Sequence, residues 1–145
     1  MINHWLKYAA AFEDAIDDND WAPVADCFHP QATYVRHSDD ERLHTPEVKG
    51  NTDIAANFAS SVEQFDRRFT SRNLSNVHIA SVNKSDLHHE FNITYKADGL
   101  PDLEFSGHEN YVFDSEGLIV SLEEVISPGV GTKVVGWLMQ HAAKL

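Results

Sequence analysis

Two carboxylates interrupt apolar stripes between residues 103 and 126, and they are the groups in this sequence best placed to do chemistry. Period-2 alternation places Glu109 on the face shared by Phe105 and Tyr111, and it places Glu124 beside Leu122. An ionised carboxylate in apolar surroundings costs several kcal/mol unless it is paired or protonated. We therefore expect a pocket at this face, where Glu109 and Glu124 could divide acid and base roles.

A β-hairpin must position these two acids. The turn Asp114-Ser115-Glu116-Gly117 joins its strands, because Gly117 can take the left-handed conformation that closes a short loop. The apolar face of its second strand is predicted to contain Val120, Leu122, Glu124 and Ile126, with Ile119 on the opposite face.

Composition limits the classes of function. The chain has 145 residues, 42% hydrophobic content and a net charge of −12, as expected for one globular domain. Its scattered basic residues argue against nucleic-acid binding. The single cysteine excludes an internal disulfide, and no long apolar run indicates a membrane segment. We expect a soluble, cytoplasmic protein.

Helices are predicted at the start, middle and end of the chain. Helical spacing predicts a first helix over residues 2–18 and a short second helix around Pro23. A third helix begins at residues 50–52, and Thr132 is predicted to cap a last helix over about 131–145. The buried stripe predicted for the first helix consists of Ile2, Trp5, Leu6, Ala9, Phe12 and Ile16.

The remaining segments are predicted to be extended or polar. A strand is expected at residues 32–37, followed by a polar loop at 38–49 that contains Pro46. Residues 69–82 are extended but alternate poorly, which predicts a bulge. Another strand covers residues 87–95. Helices, one strand, a helix and then antiparallel strands indicate an α+β fold.

The order of elements, with AAAFEDAIDDNDWAPVADCFHPQATYV and FDSEGLIVSLEEV, resembles the nuclear transport factor 2-like superfamily. Within it, the chain is most similar to the SnoaL-like polyketide cyclases and ketosteroid isomerases. The resemblance implies one SnoaL-like domain over residues 1–145 with a C-terminal helical extension. It also implies a strongly bent antiparallel sheet around a cone-shaped cavity, a cystatin-like α+β roll, commonly in a homodimer.

The resemblance assigns positions, and some of them lack the family's residue. Glu109 lies where the isomerases have an oxyanion-stabilising acid, but Phe12 replaces their tyrosine and Arg36 replaces their aspartate base. Because phenyl cannot donate and arginine cannot accept a proton at neutral pH, classical ketosteroid isomerase activity is not expected. Glu124 matches a carboxylate of the limonene epoxide hydrolases, whose Arg-x-Asp is missing here. An acid–arginine–acid arrangement would need other residues.

The resemblance to the family implies that the side chains of Tyr34 and Arg36 face the cavity, as those of the two glutamates do. The substrate-binding residues are predicted to be Tyr34, Arg72, Asn76, His89, Phe12, Phe58, Tyr111 and Leu122. An alternative is that Arg36 forms only an internal salt bridge, and that the polar groups of Arg72 and Asn76 satisfy a bulge. The nine histidines show no metal-ligand spacing, so no metal or other cofactor is expected.

Three functions remain open from the sequence. The leading hypothesis is an enzyme that transfers protons on a small apolar organic molecule, as an isomerase, dehydratase, cyclase or hydrolase would. Glu109 and Glu124 would exchange protons, Tyr34 would orient the substrate, and Arg36 would stabilise an oxyanion. The alternatives are a non-catalytic small-ligand binding protein and an accessory protein with an unused pocket.

Overall fold

A six-stranded curved sheet and four α-helices form the protein, whose computed structural model describes all 145 residues. The elements are α1 (Ile2–Asp18), α2 (Ala22–Ala25), β1 (Phe28–His37), β2 (Thr45–Lys49), α3 (Asn51–Gln64), β3 (Ser71–Ser81), β4 (Asp86–Lys96), β5 (Leu103–Phe113), β6 (Ile119–Ile126) and α4 (Val130–His141). Short 3₁₀ turns cover Glu41–Leu43, Asp66–Arg68 and Ala142–Lys144. No helix is long and apolar enough to cross a membrane.

The strand order is β2-β1-β6-β5-β4-β3, which leaves β2 and β3 as the two edges. The predicted α+β fold with helices packed on a curved sheet is confirmed. The sheet is not wholly antiparallel, because β1 pairs with β6 in parallel while the other four pairs are antiparallel. This parallel pairing places Arg36 directly opposite Glu124, about ninety positions further along the chain, and so assembles the site described below.

The hairpin formed by β5 and β6 has the predicted turn, with Gly117 at φ 82°. The prediction for the start of β6 is wrong. A register shift between Val112 and Phe113 pairs Phe113 with Ile119, so Ile119 is fully buried and Val120 is only half-buried. Beyond this irregularity the predicted alternation holds, and Glu109 lies directly opposite Glu124.

Helix α1 has its predicted bounds and ends at Asn19, whose left-handed conformation (φ 60°) stops the helix. Its buried face differs from the predicted stripe, because Ile2 and Leu6 are 40% and 52% exposed. Trp5 is buried as predicted, and Tyr8 and Ala15, which lie outside the predicted stripe, are buried as well. The alanines at positions 9–11 fit either face equally well, so the pattern could not fix the rotation of the helix.

Three local predictions have clear outcomes. The predicted bulge in β3 is present between Asn76 and His78. The predicted loop 38–49 contains strand β2, where Pro46 is tolerated because β2 is a sheet edge. The predicted cap of α4 is wrong, since Gly129 precedes that helix and the Thr132 hydroxyl donates to Asp39 at 3.1 Å.

Candidate active site

A cavity of about 600 Å³ lies against one face of the sheet, and most of its lining residues are hydrophobic. Its walls come from α1, α3 and every strand except β2, together with the turns after β1 and α3. All eleven residues predicted for the site line this cavity: Phe12, Tyr34, Arg36, Phe58, Arg72, Asn76, His89, Glu109, Tyr111, Leu122 and Glu124. The volume and the apolar lining are typical of sites for small organic molecules, roughly 300–1,000 Å³.

Four ionisable residues form one row across adjacent strands of the sheet. Arg36 on β1 is the register partner of Glu124 on β6, and Glu124 is the partner of Glu109 on β5. Glu109 is in turn the partner of His89 on β4. Residues directly opposite one another in a ladder share a face and approach closely. The row therefore places two carboxylates side by side, with a cationic or basic group at each end.

Glu124 is a buried acid with weak compensation. It accepts a hydrogen bond from the Tyr34 hydroxyl at 3.0 Å, and one of its oxygens lies 3.6 Å from Arg36 Nη1. Burial raises the pKa of Glu124 from 4.5 to about 7, and the negative charge of Glu109 adds to this effect. Arg36 and Tyr34 lower the pKa only in part. Glu124 can therefore gain or lose a proton near neutral pH.

Glu109 is held by two neighbours. Its Oε2 accepts a hydrogen bond from the Tyr111 hydroxyl at 2.6 Å and lies 2.8 Å from His89 Nδ1. The other ring nitrogen of His89 lies 2.8 Å from the Asn76 side-chain oxygen. Because an amide oxygen only accepts, the contact with Asn76 assigns a donor N–H to His89 Nε2. Tyr111 and His89 thus position Glu109.

Arg36 connects the acids to the loop that follows β1. Its Nε donates to the Leu43 backbone oxygen at 2.9 Å, while Nη1 faces Glu124. The internal salt bridge considered as an alternative is therefore present. Its arginine lies on the cavity wall, so the same pair can also face a bound molecule.

A second polar group lies elsewhere on the cavity wall. Arg72 donates from Nε to Asp66 at 3.0 Å and from Nη1 to both oxygens of Glu13 at 2.9 and 3.0 Å. The Tyr95 hydroxyl donates to the same Asp66 oxygen at 2.8 Å. An acid–arginine–acid arrangement thus exists, but it is built on α1, β3 and the turn after α3 rather than around Glu124.

Comparisons with known proteins give a fold. No family model and no curated protein matches the sequence. An NTF2-like protein from Anabaena variabilis aligns with a TM-score of 0.66 at 14% identity, over 87% of this chain and 88% of that one. This chain has the NTF2-like fold.

Two further solved structures share it. TerC, co-crystallised with polyporic acid, aligns with a TM-score of 0.67 at 10% identity over 90% of this chain and 97% of that chain. SalBIII is an epoxide hydrolase/cyclase-like enzyme in pyran ring formation in the polyether salinomycin. It aligns with a TM-score of 0.59 at 12% identity over 87% and 92% of the two chains. At these identities the NTF2-like fold alone is shared.

Sequence reasoning missed a hydroxyl donor on α1 in this NTF2-like cavity. Phe12 supplies no donor, as predicted, but Tyr8 lies one helical turn before it and also lines the cavity. The Tyr8 hydroxyl has no hydrogen-bond partner in the protein, although its ring is buried among Phe28 and Tyr111. Burial and the nearby Glu109 raise the pKa of Tyr8 well above 10, so it stays a donor. The i, i+4 spacing of Tyr8 and Phe12 could have predicted this position, because residues four apart lie on the same face of a helix.

Asp66, Tyr95, Trp5 and Glu13 were also missed. The Trp5 ring contacts His89 at a tilt of 59°, with ring centroids 4.8 Å apart, and its indole N–H is buried without a partner. No cluster of histidine, cysteine or acidic side chains is arranged to hold a metal ion. Cys27 is buried outside the cavity lining, and its thiol lies 3.3 Å from the Pro23 oxygen.

Proposed function

We propose that this cavity is the active site of an enzyme that transfers protons on a small, largely apolar organic molecule. Isomerisation, dehydration, cyclisation and hydrolysis all belong to this class. The supporting observation is the row Arg36–Glu124–Glu109–His89, in which two neighbouring carboxylates have unequal surroundings. Unequal paired acids can divide the acid and base roles. The likeness to SalBIII, a hydrolase/cyclase-like enzyme, supports the same class.

Each residue of the row takes one role in this proposal. Glu124 exchanges a proton with the substrate, because its pKa of about 7 matches that of an efficient general acid or base. Glu109 shares the charge of the pair and is connected through His89 to Asn76. Arg36 stabilises the oxyanion that develops as the proton leaves.

Two tyrosines complete the site. Tyr34 is bonded to Glu124 and orients both that acid and the substrate beside it. Tyr8 is a donor with no protein partner, so its hydroxyl is available to a carbonyl, ether or epoxide oxygen of the substrate. The apolar wall, including Phe12, Phe58 and Leu122, surrounds the rest of the molecule.

The test uses substrates whose protons or rings report the chemistry directly. Cyclic ketones and terpenoid epoxides are incubated with the protein in D₂O, and NMR follows deuterium incorporation and ring opening. We expect Glu124→Gln to slow any conversion by the wild type at least about 100-fold. Glu104→Gln is the matched control, because Glu104 is exposed on β5 outside the cavity lining. Unchanged turnover in Glu124→Gln would disprove the assignment.

A non-catalytic binding protein is the second candidate. It is favoured by the internal partners that both carboxylates already have, since Glu124 is bonded to Tyr34 and Glu109 to Tyr111 and His89. Such satisfied groups can fix the shape of a ligand pocket without any reaction. A small molecule that co-purifies and is released chemically unchanged, with no conversion of the panel, would support this candidate instead.

A further inference from the structure

The arrangement of tyrosine, carboxylate and arginine occurs twice in the cavity. The first set consists of Tyr34, Glu124 and Arg36, and the second of Tyr95, Asp66 and Arg72. In both sets a tyrosine hydroxyl donates to the acid and an arginine lies beside it. Every member of the two sets lines the cavity. The proposed chemistry uses only the first set.

The second set retains unused hydrogen-bonding capacity. Arg72 uses Nε and Nη1 for Asp66 and Glu13, and its Nη2 has no partner. Asp66 accepts both of its side-chain bonds through Oδ2, and its Oδ1 accepts none from another residue. Both residues line the cavity, and neither atom is one of the fully buried polar atoms that lack a partner. A donor and an acceptor therefore stand next to each other, open to a ligand.

Strand β4 shows how the two sets are related. Its residues His89, Phe91, Ile93 and Tyr95 alternate along the strand, and all four line the cavity. The cavity wall is thus polar at both ends of β4 and apolar between them. Asp66 is close enough to Arg36 and Glu124 for its charge to raise the pKa of both groups, so one compact ligand can reach the two sets. A ligand that matches this wall has an apolar middle and a polar group at each end.

We infer that Asp66, Arg72 and Tyr95 form a second subsite that binds an oxygen group at the far end of the ligand. The inference rests on the proposed function for the end at which the reaction takes place. It narrows the substrate class to compact apolar molecules that carry two oxygen functions at opposite ends. A hydroxyl suits the subsite, because it can donate to Asp66 Oδ1 and accept from Arg72 Nη2. Tyr95 is a positioning residue, since its hydroxyl donates to Asp66 Oδ2 and so holds the carboxylate in the orientation that presents Oδ1.

Glu13 positions the subsite and does not bind the ligand itself. Both oxygens of its carboxylate accept hydrogen bonds from Arg72 Nη1. These bonds fix the guanidinium across the gap between α1 and β3. Arg72 is then neutralised by two acids, so the subsite offers directional hydrogen bonds with no net positive charge to attract an anion. A neutral hydroxyl or carbonyl is the expected partner.

Binding of two matched probes tests the inference without any reaction. 4-Hydroxybiphenyl and 4,4′-dihydroxybiphenyl have the same apolar frame, and the second has an additional hydroxyl at the opposite end. Isothermal titration calorimetry should show the dihydroxy compound binding wild-type protein about tenfold more tightly, as one further hydrogen bond predicts. Tyr95→Phe and Asp66→Asn should reduce this preference to about twofold or less. Glu104→Gln should retain it.

The controls separate this inference from the proposed chemistry. Glu124→Gln should keep the tenfold preference, because it affects both probes equally whatever it does to turnover. If Asp66→Asn does not fold, Tyr95→Phe decides the matter alone, since it removes only one hydroxyl. Equal affinities of the two probes for the wild type, an undiminished preference in Tyr95→Phe, or no binding of either probe would overturn the inference.

Discussion

Replacing Glu124 with glutamine should make the protein more stable at high pH and leave it nearly unchanged at low pH. The folded protein raises the pKa of this carboxyl from 4.5 to about 7 through burial, so the native state holds its proton more tightly than the unfolded state. The stability contributed by this proton is fully present below about pH 4.5. It is lost as pH rises through 7.

The structure sets the size of the effect. A change in pKa from 4.5 to about 7 corresponds to about 3 kcal/mol between the protonated and ionised forms. Glu124 is only 14% exposed, and its exposed atoms line the cavity, so solvent screening is limited. Glutamine resembles the protonated acid and does not titrate. The stability of Glu124→Gln minus that of wild type should therefore grow by about 3 kcal/mol between pH 4.5 and pH 8.

Urea denaturation followed by fluorescence of the three tryptophans measures this difference at each pH. The comparison with Glu104→Gln removes the general effect of deleting one negative charge from an acidic protein. Glu104 is exposed on β5 and has no ion pair, so its substitution should give a nearly constant difference. A Glu124→Gln difference that stays flat, or that shrinks as pH rises, would refute a raised pKa for this acid.

Three further substitutions test neighbouring parts of the site. Arg36→Met should raise the pKa of Glu124 above about 7, because the arginine charge lowers it; ¹³C NMR of the labelled carboxyl would show the midpoint, and a lower one would contradict this. Tyr8→Phe should leave the unfolding free energy within about 0.5 kcal/mol, because its hydroxyl has no protein partner, yet slow turnover about 100-fold; equal turnover would exclude Tyr8 from the reaction. Gly107→Ala should destabilise the fold by about 1–3 kcal/mol in urea denaturation, because a Cβ there would overlap the Val125 carbonyl oxygen. A variant as stable as the wild type would show that the strand ladder can shift to make room.

The sequence predicted the hairpin acids because a regular ladder preserves alternation. Between Gly107 and Val112 the strands β5 and β6 pair without irregularity, so a period of two places Glu109 and Glu124 on one face. The same rule failed at Ile119, where one register shift reverses the faces. A shift of this kind depends on how the turn closes, which residue types indicate only weakly.

Contacts between distant segments could not be derived from periodicity. Tyr34 and Glu124 are ninety residues apart, and they meet because β1 pairs in parallel with β6. The family resemblance supplied the inward direction of Tyr34 and Arg36, which alternation along a short strand does not provide. Asp66 lies in a turn after α3, where no sequence pattern marks a buried acid. Its contacts with Arg72 on β3 and Tyr95 on β4 can be seen only in the structure.

The charges around the cavity limit the kind of molecule that it can hold. The lining contains four acids, Glu13, Asp66, Glu109 and Glu124, and three arginines, Arg36, Arg42 and Arg72. Arg72 is already paired with two of the acids, and Arg42 is paired with Asp40 on the surface. The basic groups beside the two central carboxylates are therefore Arg36 and His89. An anionic ligand would therefore meet net negative charge as soon as Glu124 ionised, within a protein of net charge −12. A neutral ligand avoids this repulsion at every pH, and the proton of Glu124 is then available for chemistry rather than for binding.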